Sequence, residues 1–292
     1  MASPRILAID VGASKLQYGI WKGGKWAGTG RMEIGKKTDA VQLLAGLEQL
    51  IRISRANFVS LAVAGFVVDG KLVRMPNLPN VEPARLMAGL RALKVPIHIE
   101  NDVKCMALAE WVQRGRRAND DFLLVAPGSG IGGARVREGK LVRGTHNTAG
   151  EAGHMKLADE RGRIRNWEEL AGGFGIEKTF AKKGWDAKKI LKSRQAKAAK
   201  LAAQSARYFG VGLASLANLF DPGQLLVCGS VGRAYMRTPR LKKIALEAYA
   251  QNVIAPLSGT RPHCAASAYP ALEGAALMAM KNKDKKIRRF MQ

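Results

Sequence analysis

The sequence predicts an α/β protein of two domains, and three observations carry that expectation. Short apolar or alternating runs of strand length alternate with segments of helical apolar spacing along almost the whole chain, the pattern of α/β folds. The 292 residues, 47% of them apolar, exceed one ordinary domain and suffice for a core without disulfide support. A unit of strand, glycine turn, strand, glycine turn, strand occurs twice. Laying Gly12 on Gly128, an offset of 116, brings Ile20 onto Val136 and Gly23 onto Gly139, a likeness of pattern with few identities.

In order, 5–10 is an apolar strand running into a turn, with further strands around 16–21 and 26–34 joined by Gly23-Gly24. Helical spacing through Val41, Leu44, Leu47, Leu50 and Ile51 predicts a helix over 39–53, followed by a strand at 58–63. The run AGFVVDG reads as a turn, 71–75 as a short strand and 79–93 as a loop passing into a helix. A strand at 96–99 ends in Glu100, Asn101 and Asp102, a helix covers 103–113, and the polar stretch 114–119 is the expected domain boundary. The second half opens with a buried strand at 122–126, then 134–137 and 140–143. Helices are expected at 168–181, 187–219, 240–252 and 269–281, with a turn and buried strand in FDPGQLLVCGS. The division is therefore 1–117 and 118–292, with the final helix, 270–290, free to pack back on the N-terminal domain. The tail KNKDKKIRRFMQ is charged and its outermost residues are expected to be mobile.

Composition narrows the class of protein. No apolar run approaches the length of a membrane span, and MASPRILAIDVG enters a strand at once instead of showing a leader, so a cytoplasmic protein is expected. Cys105, Cys228 and Cys264 form no motif and read as reduced, structural thiols. The balance of 48 Lys and Arg against 23 Asp and Glu, a net +25, attracts anions: nucleic acid, a membrane surface or a polyanionic substrate. A generally cationic surface explains the same number, and local density is highest at 114–117, 182–200 and 281–289.

Chemistry concentrates at a few places. In 123–154 the strand meets Gly128, Ser129, Gly130, Gly132 and Gly133, where the backbone turns sharply and offers N–H groups to phosphate oxygens, or simply closes a hairpin. Asn147, Glu151 and His154 then stand among small residues that leave room for a ligand. In IDVGASK, Asp10 ends a strand, where a carboxylate can orient a hydrated Mg2+, and Gly12, Ser14 and Lys15 supply turn amides, a hydroxyl and a cation for phosphates. Asn101 and Asp102 lie between strand and helix, where α/β proteins place ligand-contacting groups and where a helix N-cap is the plain alternative.

AGEAGH after the glycine hairpin resembles the ROK family of sugar kinases and sugar-responsive repressors, within the actin-like ATPase superfamily. IDVGASK is similar to that family's first phosphate motif, with Ser14 in the Thr place and Ala13 where a second Gly is usual. IENDVKCMALAEW resembles its Glu-Asn-Asp motif, and NLFDPGQLLVCGSVGRA its adenosine-side turn, strand and loop with Gly229 and Ser230. The resemblance runs from about Ile6 to Met278. It implies a two-domain actin-like (ribonuclease H-like) fold with a central cleft, Asp102 as general base, and sugar contacts from Asn77, Asn101, Glu151, His154 and Glu168, with Glu169 an exposed helix charge. It further implies a hexose and ATP or polyphosphate as substrates, Mg2+ as cofactor, and a homodimer, with no specific nucleic acid and no membrane as partners.

One departure stands out. Where many members carry a Cys-rich zinc segment, this chain has MKLADERGRIRNW with no Cys, so no zinc is expected and the register of Glu168 loses its anchor. The expected function is transfer of a terminal phosphoryl group to a hexose hydroxyl, foremost the 6-hydroxyl of glucose or a close relative. A sugar-responsive regulator would need a DNA-binding segment ahead of Asp10, for which the sequence leaves no room. A non-catalytic sugar- or polyanion-binding protein is the other alternative.

Overall fold

The computed structural model of the protein describes residues 5–35, 37–267, 270–280 and 284–291. From the N-terminus its elements are β1 (Ile6–Val11), β2 (Lys15–Lys22), β3 (Lys25–Glu33), α1 (Ala40–Ser54), β4 (Phe58–Val63), β5 (Phe66–Val68), β6 (Lys71–Arg74), α2 (Pro83–Ala92), β7 (Ile97–Asn101) and α3 (Asp102–Gln113). There follow β8 (Phe122–Pro127), β9 (Ile131–Arg137), β10 (Lys140–Val142), a 3-10 turn (Ala152–His154), β11 (Lys156–Ala158), β12 (Ile164–Asn166), α4 (Trp167–Ala171), α5 (Gly173–Phe180), α6 (Ala187–Lys192) and α7 (Ala196–Phe220). The chain closes with β13 (Leu225–Val227), α8 (Ser230–Arg237), α9 (Pro239–Asn252), β14 (His263–Cys264), α10 (Pro270–Met278) and α11 (Lys285–Met291). They form two compact, discontinuous units. The first comprises Met1–Ala118, Gly139–Thr148 and Ser267–Gln292, the second Asn119–Glu138 and Ala149–Ala266.

In the first unit the sheet order is β3-β2-β1-β4-β7, antiparallel through β2 and β3 and parallel through β4 and β7. Alternation along β1 sends Leu7, Ile9 and Val11 to one face, where Leu43, Leu47 and Leu50 of α1 and Leu86 and Leu90 of α2 complete a core. Asp39 caps α1 in a reciprocal box with Gln42, and Arg55 ends it in a left-handed conformation. The other face carries α3 and α10, which approach closely because Gly274 lies against the Cys105 carbonyl with no room for a Cβ. α10 follows the second unit in sequence, yet it packs on β1 and β4 of the first.

In the second unit, β9-β8-β13-β14 repeats the pattern of β2-β1-β4-β7: one antiparallel neighbour, then two parallel ones. Its core gathers Leu123 and Val125 of β8 with Trp167, Phe209 and Tyr235, whose rings stack at 6.2 and 4.7 Å. The Trp167 indole N–H donates to the Tyr208 carbonyl at 2.9 Å. Gly210 lets α7 touch the α9 backbone at Ala245, and Gly212 leaves space for the Trp167 ring.

Several expectations are corrected here. AGFVVDG contains β5, paired with β6 in a small hairpin. Gly132 and Gly133 are strand residues opposite Ala126 and Val125, so the turn is confined to 128–130. The expected helix over 168–181 is two helices meeting at Gly172, whose amide closes α4 while α5 begins beside it. The one over 187–219 breaks at Ser193, where extended backbone separates α6 from α7. α8 and the β11–β12 hairpin were not foreseen; α8 was hidden because Gly and Ser at its start read as loop. The outer tail folds as α11, with Ile287, Phe290 and Met291 buried at i, i+3, i+4 spacing and Phe290 stacked on Trp111 at 4.6 Å. Tyr269 and Lys281, the ends of the expected last helix, lie outside the described residues.

Candidate functional site

The parallel register aligns the candidate groups of the first unit. Val11, Val63 and Asn101 are partners across β1, β4 and β7, as are Asp10, Ala62 and Glu100, so the hairpin 12–15 and Asn101-Asp102 occupy one carboxyl edge of one sheet. The Gly12 amide donates to the Lys15 carbonyl at 3.0 Å and closes the hairpin. Asp10 keeps a small accessible face but is otherwise enclosed by protein. That desolvation pushes its carboxyl up to about 6, with the Lys15 ammonium pulling the other way.

Asn101 is the N-cap of α3. Its Oδ1 accepts from the Val103 and Lys104 amides at 3.0 and 3.1 Å, and its Nδ2 donates to the Gly65 carbonyl at 3.1 Å. The acceptor is thus committed to the helix, and one Nδ2 hydrogen remains for a ligand. Asp102 is the first residue of α3, its Oδ1 accepting from the Val103 amide at 3.0 Å. Asn77, half-buried, lies in the turn between β6 and α2.

A buried polar cluster behind this edge was not foreseen. Glu100 accepts from its neighbour Asn101's amide at 2.9 Å and from Arg143 at 2.8 Å. Arg143 also donates to Asn147 Oδ1 at 3.0 Å and to the Met291 carbonyl at 2.9 Å. Lys104, 4% exposed, places its ammonium 2.5 Å from the Asn147 carbonyl and 2.8 Å from Asn147 Oδ1, while Asn147 Nδ2 donates to the Val67 carbonyl. Asn147 is therefore structural, and its positive φ of 56° suits Asn. A cavity of about 400 Å³ adjoins the cluster, lined by Glu100, Arg143, Asn147 and His98; of the candidate ligand groups read from the sequence it takes in Asn147, and not Asp10, Asp102, Glu151, His154 or Glu168. Lys104 could have been suspected from its place inside an otherwise apolar helix face; the partners come from distant segments and left no local signal.

In the second unit the carboxyl ends of β8 and β13, parallel at Val125 and Val227, carry the other set. The Gly128 amide donates to the Gly130 carbonyl at 2.9 Å, as Gly12 does in the first hairpin. The carbonyls of Gly128 and Ser129 accept from Gly173 and Phe174 at 2.9 and 2.8 Å, fastening the start of α5. Gly128's amide is thus spent within the turn. Gly229, at φ 69°, lies against the Pro127 carbonyl where no side chain fits, and Ser230 opens α8, so the two loops are adjacent.

Glu168 is brought to the same place. Its Oε2 accepts from the Ile131 amide at 3.2 Å, and a Cβ on Gly153 would stand 2.9 Å from that oxygen. Glu151 and His154, both exposed, flank Gly153 in the 3-10 turn. Of the small residues of AGEAGH, Gly150 and Gly153 admit the β9 backbone at Gly133 and Ile131. Nor is Glu169 merely an exposed charge: it accepts from the Asn166 amide at 2.9 Å in the capping box of α4 and pairs with Arg165 at 3.0 Å.

Among the described residues no three His, Cys, Asp or Glu side chains gather as a metal-ligand group, and no helix is long and apolar enough to cross a membrane. Mg2+ carried on a nucleotide keeps most of its water and needs one or two carboxylates; the enclosed Asp10, held below full ionisation by desolvation, fits that role.

The profile of the ROK family matches residues 6–281. The beta-glucoside kinase of Listeria monocytogenes is 33% identical over 162 residues, 52% of this chain and 53% of that protein. The N-acetylmannosamine kinase of Pasteurella multocida is 27% identical over 257 residues, 82% and 86% of the two chains. Several matches are partial: the chain spans about half the length of the first curated relatives it matches. A ROK hexokinase from Thermus thermophilus superposes with a TM-score of 0.70 at 28% identity, covering 96% of this chain and 99% of that one.

Proposed function

The chain belongs to the ROK family, and on that premise we propose that it is a sugar kinase transferring the terminal phosphoryl group of ATP to a hexose hydroxyl, foremost the 6-hydroxyl of glucose or a close relative. The observation that carries this reading is the shared carboxyl edge of β1, β4 and β7, with Asp10 and Asn101-Asp102 at one edge of one sheet, which supports an Mg2+-orienting role for Asp10 and a proton-accepting role for Asp102. The names of the similar kinases, which act on sugars of different kinds, support the class of reaction and leave the hexose to experiment.

Each residue has a task. Asp102 takes the proton of the attacking hydroxyl as its oxygen meets the terminal phosphorus in line. Asn101, its acceptor committed to the α3 cap, fixes the backbone from which Asp102 projects and offers one N–H to a neighbouring hydroxyl. Asn77, Glu151, His154 and Glu168 hydrogen-bond sugar hydroxyls, and a sugar of the wrong hydroxyl pattern leaves such groups unsatisfied. The hairpins at 12–15 and 128–130 hold phosphates through their remaining amides and through Ser14, Lys15 and Ser129, while Gly229 and Ser230 border the adenosine. Mg2+ bound with the nucleotide would neutralise phosphate charge, with Asp10 orienting its water shell.

The test is a phosphorylation assay of the purified protein with Mg2+, crossing glucose, mannose, N-acetylmannosamine, N-acetylglucosamine, fructose and allose with ATP and polyphosphate. Turnover with one or more pairs supports the kinase and names its substrates. Silence across the grid, with sugar still raising thermal stability, favours a non-catalytic sugar-binding protein.

A further inference from the structure

The buried polar cluster behind the carboxyl edge of β1, β4 and β7 closes on itself. The Asn101 amide donates to Glu100 Oε1 at 2.9 Å, and Glu100 Oε2 accepts from Arg143 at 2.8 Å. Arg143 donates in turn to Asn147 Oδ1 at 3.0 Å, and the same oxygen accepts from the Lys104 ammonium at 2.8 Å. The Lys104 amide then donates to Asn101 Oδ1 at 3.1 Å, which returns the path to its start. Asp102 lies in sequence between Asn101 and Lys104, the two residues whose amides belong to this ring. Its backbone is therefore held on both sides.

The ring is also fastened to its surroundings. Asn101 Nδ2 donates to the Gly65 carbonyl at 3.1 Å and Asn147 Nδ2 to the Val67 carbonyl, two points on the short stretch that opens β5. Lys104 Nζ also reaches the Asn147 carbonyl at 2.5 Å, and Arg143 Nε the Met291 carbonyl at 2.9 Å.

A helix start does not need this much. Asn101 alone caps α3, its Oδ1 taking the Val103 and Lys104 amides. Nor is the ring a favourable way to fill a core: Glu100 and Lys104 are 5% and 4% exposed, and burying ionic groups carries a desolvation cost that well-packed apolar side chains avoid. What hydrogen bonds add over apolar packing is direction, since each constrains an angle as well as a distance.

We propose that Lys104 and Asn147 are positioning residues for Asp102: by closing the ring they fix the first turn of α3, so that the Asp102 carboxylate meets the attacking hydroxyl in the geometry proton transfer requires. The proposal deepens the kinase reading and rests on its assignment of Asp102 as the base. Misplacing such a group by about 1 Å lowers a rate by as much as about a hundredfold.

The test is steady-state phosphorylation of the preferred hexose by Lys104→Met, Asn147→Gly and Asn147→Asp, and by Lys104→Met combined with Asp102→Asn. Calorimetry gives hexose affinity, and thermal unfolding shows which variants are folded. Asn147→Gly opens the ring without touching residues 100–104, and glycine accepts the φ of 56° found there. Asn147→Asp keeps an acceptor oxygen for Lys104 and Arg143. Lys104→Met and Asn147→Gly are expected to lower kcat by about tenfold or more, with hexose affinity within about threefold of wild type. Asn147→Asp should retain kcat within about threefold, and Lys104→Met should slow the residual rate of Asp102→Asn by less than about twofold, because the two act through one group. A purely structural role would lower the unfolding midpoint and leave kcat of the folded protein alone. Wild-type kcat in folded Lys104→Met or Asn147→Gly, equal losses in the two Asn147 variants, or a full Lys104→Met loss on top of Asp102→Asn overturns the proposal. If Lys104→Met does not fold, the two Asn147 variants decide. A wild type without turnover, or Asp102→Asn that turns over normally, removes the base and its positioning together. Turnover that needs Asp102 but ignores the ring overturns the positioning alone.

Discussion

The Ile131 amide donates to Glu168 Oε2 across 3.2 Å, joining the first residue of β9 to a side chain of α4 at the foot of the second glycine turn. No room is left for a side chain at Gly130, whose Cβ would collide with the same oxygen. Gly130→Ala is therefore expected to displace the Glu168 carboxylate and to raise the sugar KM by about tenfold or more, a loss of at least ~1.4 kcal/mol. Thermal unfolding should show the variant folded. An unchanged KM in folded Gly130→Ala would remove Glu168 from the sugar contacts.

Asp10 gives a pH prediction. Its carboxyl is raised from 3.8 to about 6 by desolvation, so the folded chain binds that proton more tightly than the unfolded chain does. Stability of the ligand-free protein therefore falls as pH rises through the window from about 4 to 6 and keeps the deficit above it. Asp10→Asn removes this cost. Urea unfolding at pH 4 and pH 7.5 should show the variant gaining on the wild type by about 2.4 kcal/mol between the two, since part of the full shift, at 1.36 kcal/mol per pKa unit, is already expressed at pH 4. A difference between variant and wild type that does not change with pH would contradict the assignment.

Arg143 neutralises Glu100, which is 5% exposed and adjoins Asn101. Arg143→Met strands that carboxylate and should cost about 3 kcal/mol in denaturant unfolding. The double variant Arg143→Met, Glu100→Gln should recover part of the loss, because the uncompensated charge is gone. Simple additivity of the two single variants would show that the pair is not coupled.

Gly274 is the closest approach of α10 to α3, with the Cys105 carbonyl where a Cβ would be. Gly274→Ala should separate the helices and cost about 1–3 kcal/mol, read as a lowered urea midpoint with an unchanged slope. A wild-type midpoint would mean that α10 shifts without penalty.

Much of this fold was legible because strands and amphipathic helices write their periods locally. The duplicated meander was visible from Gly12 and Gly128, and its parallel continuation into β4 and β13 follows the same plan. What escaped depended on partners far along the chain. Asn147 looked like a ligand group until Lys104, Arg143 and Val67 were placed around it. The closeness of Gly150 and Gly153 to the β9 backbone likewise had no local signal. Asn101 is the instructive middle case: the cap and the site were both readable, and the cap occupies its acceptor. The candidate site itself was legible only through the family's motifs, since spacing alone gives turns and caps no reaction.

Asp102→Asn is the decisive variant. ADP release dependent on the preferred hexose should fall by about two to four orders of magnitude, while calorimetry shows the hexose binding within a few-fold of wild type. A variant that turns over like the wild type would contradict Asp102 as the base, and a wild type that phosphorylates no hexose from ATP or polyphosphate would contradict the kinase itself.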